Sequence, residues 1–208
     1  MMVPLVKDPR YARPTMSNVM RMRADAVRNR QRILDAAREA FSEHGEDAQM
    51  DDIARRAGVG VGTLYRHFTT KEMLVGELIH VKLSEFAQRV RAKFAEESDP
   101  WAAFEGGLRE QTEVMARDAA HQRMPFAASQ EAMTRAQPAV SELREAWGVV
   151  IDRAKEAGVL REDFQVDDIR TLMCGLGSMM AADACGAMPY DWRRQLDLFL
   201  DGVRTPRS

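Results

Sequence analysis

The sequence predicts an all-α fold, and three observations carry that prediction. Apolar residues recur at steps of three and four along most of the chain, the period of a helix. No alternating apolar–polar run of useful length occurs, so a sheet is not expected. Gly and Pro fall between the periodic stretches, where helices start and stop. The 208 residues suffice for one or two domains and for a core without disulfide or metal staples. Charged residues are 30% and apolar ones 45%, the balance of a folded globular chain.

Residues 1–23 read as a tail. Pro4, Pro9 and Pro14 recur every five residues and bar a helix through them. Two readings stand for this segment: a disordered leader, or a basic arm that touches nucleic acid. From Ala24 a helical stripe begins, with Val27, Ile33, Leu34, Ala37, Ala40 and Phe41. Gly45, after His44, suits a left-handed stop. A second, short helix covers Asp51–Ala57, with two acids at its start and two arginines at its end, as the helix dipole favours. Gly58 breaks it. A third runs Val61–Phe68, with Val61, Leu64 and Phe68 on one face.

Thr69 or Thr70 caps a fourth helix, whose stripe runs Met73, Leu74, Leu78, Val81, Leu83, Phe86, Val90 and Phe94. Ser98-Asp99-Pro100 opens the fifth, with proline in the first turn where its missing N–H costs little. Its inner face carries Trp101, Phe104, Leu108, Thr112 and Met115. Residues 119–137 are ambiguous, punctuated by Pro125 and Pro138. A long helix is expected over 138–157, ended by Gly158. Val166-Asp167-Asp168 starts another, rich in Met and Gly, which Pro189 stops, and 191–203 forms the last. There is no internal repeat.

The formal net charge of −2 hides a split. Residues 1–75 hold 13 basic and 10 acidic side chains, a balance of +3; the remainder holds 17 and 22, a balance of −5. A basic front and an acidic back suit a polyanion partner at one end only. No run of 18 apolar residues spans a membrane and no secretory leader is evident, so the cytoplasm is the expected compartment. Cys174 and Cys185 lie eleven residues apart, about 16 Å along one helix, too far to bridge. Buried structural thiols, a thiol sensor and a bridge between two copies stay open as readings.

The informative segment is Met50–Lys71, MDDIARRAGVGVGTLYRHFTTK. Two short helices flank Ala57-Gly58-Val59-Gly60, the pattern of a helix-turn-helix whose second helix is offered to a major groove. Ile53, Ala54, Ala57, Val59 and Leu64 would pack the pair together. Thr63, Tyr65, Arg66 and His67 would face outward, all able to donate to phosphates or base edges. Lys71, at the next helix's N-terminus, can hold a phosphate together with backbone N–H groups. Arg28, Arg30 and Arg32 form a basic strip on the first helix, and Arg55 and Arg56 are further phosphate candidates.

The run IARRAGVGVGTLYRHFTTKEML resembles the signature of the TetR transcriptional regulators, the tetracycline-repressor family, and the preceding ILDAAREAFSEHG fits it too. The match covers about Arg30–Leu78; the remainder is similar only in length and helical character. The resemblance implies an N-terminal three-helix helix-turn-helix DNA-binding domain, placed at 24–75, followed by a helical ligand-binding and dimerisation domain, placed at 76–208. Carried over by position, Thr63, Tyr65, His67 and Lys71 match the family's usual DNA-contact positions, and Gly60, Val61 and Gly62 open the recognition helix. Arg28 and Arg66 complete the DNA-binding set. Gly60 stands where the family often has a Ser cap, and Gln49 where it often has Ser or Thr, a departure that weakens a helix start by under about 1 kcal/mol.

The same resemblance implies a homodimeric repressor, released from a palindromic double-stranded DNA operator by a largely apolar small-molecule effector. Trp101, Phe104, Met115, His121, Phe126, Met133, Trp147, Ile151 and Met173 are the candidates for the effector pocket, with Arg123 and Gln130 as further polar groups. Each of the apolar ones, taken singly, reads first as core packing. Leu172, Leu176, Met179, Leu196, Phe199, Leu200 and Val203 are the candidates for the dimer seam. Two rival classes are a ligand-independent architectural DNA-binding protein and a di-metal carboxylate helical-bundle enzyme. The second would use Glu77-x-x-His80 and Asp118-x-x-His121, pairs that arise often by chance in charged helices. No Gly-rich phosphate loop, nucleophile elbow or His-Glu-x-x-His motif occurs, so neither cofactor, metal nor enzymatic activity is expected.

Overall fold

The computed structural model describes residues 16–118, 129–184, 186 and 189–205. Among them are eight α-helices: α1 (Met16–His44), α2 (Met50–Ala57), α3 (Val61–His67), α4 (Lys71–Glu96), α5 (Pro100–Arg117), α6 (Gln130–Glu156), α7 (Val166–Ala184) and α8 (Trp192–Val203). There is no strand among them, only an isolated antiparallel bridge between Leu160 and Arg204. The all-α class is therefore as expected.

Most boundaries follow local chemistry. The Thr70 hydroxyl accepts the Met73 N–H at 3.0 Å and starts α4. The Asp99 carboxylate accepts the Ala102 N–H at 2.9 Å and starts α5, with Pro100 in the first turn. Two boundaries differ from the pattern in the sequence. α1 begins at Met16, so residues 16–23 are helical rather than tail. Nothing after Pro14 breaks the chain, and Met and Arg extend a helix readily once its packed part is formed. Val27 is 69% exposed, because the buried face of α1 starts only at Ile33.

α6 begins at Gln130 and carries Pro138 inside it, where the sequence suggested a start. Proline removes one ladder hydrogen bond. Tertiary packing offsets that loss: Ala132, Ala136 and Ala139 are buried along α6, whose partner over most of its length is α4. Small side chains there let the two helix backbones come close.

Two apolar cores result. The first gathers Ile33, Leu34, Phe41, Ile53, Leu64, Phe68, Leu74 and Leu78 from α1 to α4. The second gathers Val90, Trp101, Phe104, Trp147, Phe164, Met173 and Leu200 from α4 to α8. Within it Phe104 meets Trp147 at 6.0 Å and Phe164 at 5.5 Å, both edge-on, the arrangement that the ring quadrupole favours.

α4 runs through both cores, and α6 reaches the first with Ala132. At that junction Gly76 leaves no room for a side chain: a Cβ would sit 2.6 Å from the Ala132 carbonyl oxygen. Next to it the Glu77 carboxylate, 3% exposed, is gripped by Arg30 of α1 and Arg135 of α6. Arg135 Nε donates to it at 2.6 Å. A carboxylate this dry is tolerable only with such partners.

Burial alone would raise the pKa of Glu77. The hydrogen bonds and charges of Arg30 and Arg135 outweigh it and hold the group below the ordinary carboxylate value. With its folded-state pKa depressed, Glu77 stabilises the fold above the unfolded value of about 4.3. That contribution is lost as pH falls through the folded-state value. Glu77→Gln should therefore be less stable than the parent at pH 7, by about 2 kcal/mol. Urea titrations at a series of pH values check this: the gap should close in acid, and a gap independent of pH would contradict an ionised Glu77.

Candidate nucleic-acid interface

α2 buries Met50, Ile53, Ala54 and Ala57, the face expected of the first helix of the pair. Gly58 then takes φ 62° and ψ 37°, the left-handed conformation that lets the chain reverse within a few residues. The Arg32 guanidinium donates to the Gly58 carbonyl at 3.1 Å and fills the space where a Cβ would point. Gly60 caps α3 and Gln49 caps α2, neither with a side-chain bond; Gln49 Nε2 instead donates to the Asp47 carbonyl at 2.8 Å.

α3 buries only Leu64, with Phe68 sealing its end. Its other side is open. Val61 and Tyr65 are each 42% exposed, Gly62 and Arg66 are exposed, and Thr63 and His67 are half-buried at the margins. Positions 61, 62, 65 and 66 share one face of a helix, and no residue of α3 is acidic. The α3 residues expected to meet DNA thus lie on or beside one surface; Val61 is exposed, as its place at the start of the helix implies, and does not share the buried face of Leu64 and Phe68. Arg66 Nε rests on the Gly62 carbonyl at 3.3 Å, a loose contact.

The other expected contacts are less simply placed. Lys71 Nζ donates to the Glu46 carbonyl and stands 5.7 Å from the centre of the Phe41 ring, so its ammonium is occupied. Arg28 is exposed and pairs with Asp25. Arg30 leaves the basic strip, because it turns inward to Glu77 and the Phe68 ring. Arg56 is bound through both nitrogens to Glu43, and Arg55 to Asp52 at 2.7 Å.

In the helical body, Trp101, Phe104, Met115, Trp147, Ile151 and Met173 come together in one core. Two polar groups enter it: Gln111 Oε1 accepts the Trp147 indole N–H at 3.1 Å, and the Thr112 hydroxyl donates to the Leu108 carbonyl at 2.7 Å. Met133 does not join them. It is 40% exposed, on the first turns of α6, where Ala132 takes the inward position. His121, Arg123 and Phe126 lie outside the described residues.

An open groove of about 830 Å³ runs between α7 and α8. Leu172, Leu176, Met179, Leu198, Phe199 and Val203 are among its lining. Of the residues expected at a dimer seam, Leu176, Leu196, Leu200 and Val203 are 1–7% exposed within this chain. They belong to the core rather than the surface, since the helical period turns them inward. Leu198, 52% exposed and not among those expected, stands on the outer side. Cys174 is exposed, not buried, and Cys185 lies outside the described residues. Of the Glu77-x-x-His80 pair, Glu77 is held by two guanidiniums. The Asp118-x-x-His121 pair falls partly outside the described residues.

Two short helices around a left-handed glycine, an acid-free outward face and a long fourth helix leading into a helical body define a helix-turn-helix DNA-binding regulator. The family pattern described as bacterial regulatory proteins, tetR family, matches residues 33–78. A second, described as the transcriptional regulator SbtR-like C-terminal domain, matches 99–205, just over half of the chain. The chain belongs to the TetR family of transcription regulators.

A curated relative, an HTH-type transcriptional regulator of Staphylococcus aureus, is 47% identical over 66 residues, 31% of this chain and 36% of the relative. This chain therefore spans about a third of the length of the curated relatives it matches. Among solved structures, a TetR regulatory protein from Mycobacterium vanbaalenii is 29% identical, with 88% of this chain and 99% of that one covered and a TM-score of 0.59. The transcriptional regulator FadR from Bacillus subtilis, solved in complex with stearoyl-CoA, shares the fold at 19% identity, over 82% of this chain and 95% of that one, with a TM-score of 0.64. Neither the surroundings of Glu77 nor the outward position of Leu198 was evident from local pattern, because each depends on which helices meet.

Proposed function

We propose that the chain is a cytoplasmic repressor that binds a palindromic operator as a homodimer and is released by a small-molecule effector. One observation carries this reading most: α3 turns an acid-free polar face outward, while α4, which follows it directly, is packed against α6. In this reading residues 24–75 read DNA, and residues 76–208 bind the effector and dimerise. Gly60, Val61 and Gly62 approach base edges, with side chains small enough for the groove wall. Thr63, Tyr65, Arg66, His67 and Arg28 hold phosphates. Lys71 joins them by exchanging the Glu46 carbonyl for a phosphate. The two copies of α3 lie about 34–36 Å apart, one turn of the duplex.

The effector site is the apolar core around Trp101, Phe104, Met115, Trp147, Ile151 and Met173, with Gln111 and Thr112 as its polar groups. The FadR complex with stearoyl-CoA is a precedent on the same fold for an effector with a long apolar part. Such a ligand enters by displacing side chains, and the flexible thioethers of Met115 and Met173 lower that cost. To move the protein from almost all bound to almost all released, the effector must prefer the released state by about 5.5 kcal/mol. The dimer forms along the groove of α7 and α8, through Leu172, Met179, Leu198 and Phe199.

Two expected outcomes test this. Tyr65→Phe and Arg66→Ala should each weaken duplex binding about tenfold, and Arg66→Ala should also flatten the salt dependence by about one unit of slope per subunit. Fluorescence anisotropy on duplex selected by the parent protein checks both; unchanged affinity in the pair contradicts the α3 assignment. Leu198→Glu should convert dimer to folded monomer in sedimentation, whereas Leu200→Glu should unfold the chain. A dimeric Leu198→Glu protein would contradict the seam.

A further inference from the structure

We infer that Glu77 is a positioning residue for DNA binding, one that sets the recognition helix α3 by the placement of α6. The carboxylate is the centre of a three-helix contact. Arg135 reaches it from the second turn of α6 and Arg30 from α1. The Arg30 guanidinium at the same time lies 5.5 Å from the centre of the Phe68 ring, at the C-terminal end of α3. The path from α6 to α3 is therefore three contacts long: Arg135 to Glu77, Glu77 to Arg30, Arg30 to Phe68.

Two further contacts tie the same ends. The Thr70 hydroxyl, which caps α4 two residues after Phe68, donates to the Glu131 carboxylate on the first turn of α6 at 3.1 Å. Gly76 packs on Ala132 with no space for a methyl group. A shift of α6 by one or two ångströms cannot be absorbed here by a sliding apolar surface. A guanidinium–carboxylate pair is directional and strong only in register. Glu77 is too buried for water to replace a lost partner. Movement of α6 must drag Glu77 and Arg30 with it or break the contact, and either outcome alters what holds Phe68 and the end of α3. A small displacement becomes a choice between two arrangements.

The inference rests on α3 being the DNA-reading helix, and the experiment separates the two. Arg135→Ala is the main variant, since its side chain is 47% exposed and its loss leaves Glu77 paired with Arg30. Glu131→Ala, which cuts the Thr70 contact, is the second. Arg135→Lys keeps the charge. Arg144→Ala, further along α6, which breaks a surface pair with Asp167 of α7, is the control. Hydrogen exchange is read peptide by peptide on the full chain, with affinity for duplex selected by the parent.

In Arg135→Ala and Glu131→Ala, exchange across residues 61–70 should rise at least fivefold relative to α5 and α8. Affinity should fall about tenfold, Arg135→Lys should recover only part of it because it keeps the charge and not the guanidinium geometry, and Arg144→Ala should behave as the parent. Wild-type protection of 61–70 in both variants overturns the inference, and so does a uniform rise in all eight helices, which marks a merely structural role. Faster exchange at 61–70 with unchanged affinity also overturns it as a statement about DNA binding. Failure of the α3 assignment itself would instead show as full DNA affinity in Tyr65→Phe and Arg66→Ala.

Discussion

A carboxylate that is 3% exposed cannot do without its counter-charges, and that constraint organises this protein. Glu77 sits where α1, α4 and α6 meet, and two arginines from different helices are committed to it. Had the site been apolar, close packing alone would hold the helices there, without a directional contact between charged groups. With the charge buried, their register is fixed. The close contact of Gly76 with Ala132 brings the backbones near enough for the arginines to reach. The two cores then lie on either side of one junction, with α4 common to both.

The end proposed to read DNA rests on that arrangement. α3 has only Leu64, sealed by Phe68, to anchor it, which leaves nearly all its remaining surface for contact. A helix of 7 residues has little stability of its own. It is held by the Gly58 turn at one end and by Phe68 under Arg30 at the other. Its usefulness as a reading head thus depends on neighbours that never approach the duplex.

Local chemistry was legible in the sequence and long-range geometry was not. The caps at Thr70 and Asp99 follow from side chains acting within a few residues, as does the left-handed Gly58. So does the motif from Met50 to Lys71. The inner face of α5, from Trp101 to Met115, was readable because its period is regular. The start of α1 at Met16 was hidden, since no apolar stripe marks residues 16–23 and the nearby prolines suggested a break. The passage of α6 through Pro138 was hidden because packing against α4 outweighs one missing hydrogen bond. The Glu77 contact joins residues 47 and 58 positions away, Arg30 and Arg135, and neither spacing belongs to any local pattern. Leu200 and Leu198 differ by half a turn; which of them lies inside depends on where α7 and the core stand.

In the proposed function two copies of this chain read one duplex through paired α3 helices. Hydroxyl-radical footprinting on a fragment carrying the protein's selected site tests it most directly. Two protected patches are expected on one face of the duplex, their centres about 10 base pairs apart and related by the site's two-fold symmetry. A single patch, or protection spread evenly around the helix, would contradict it.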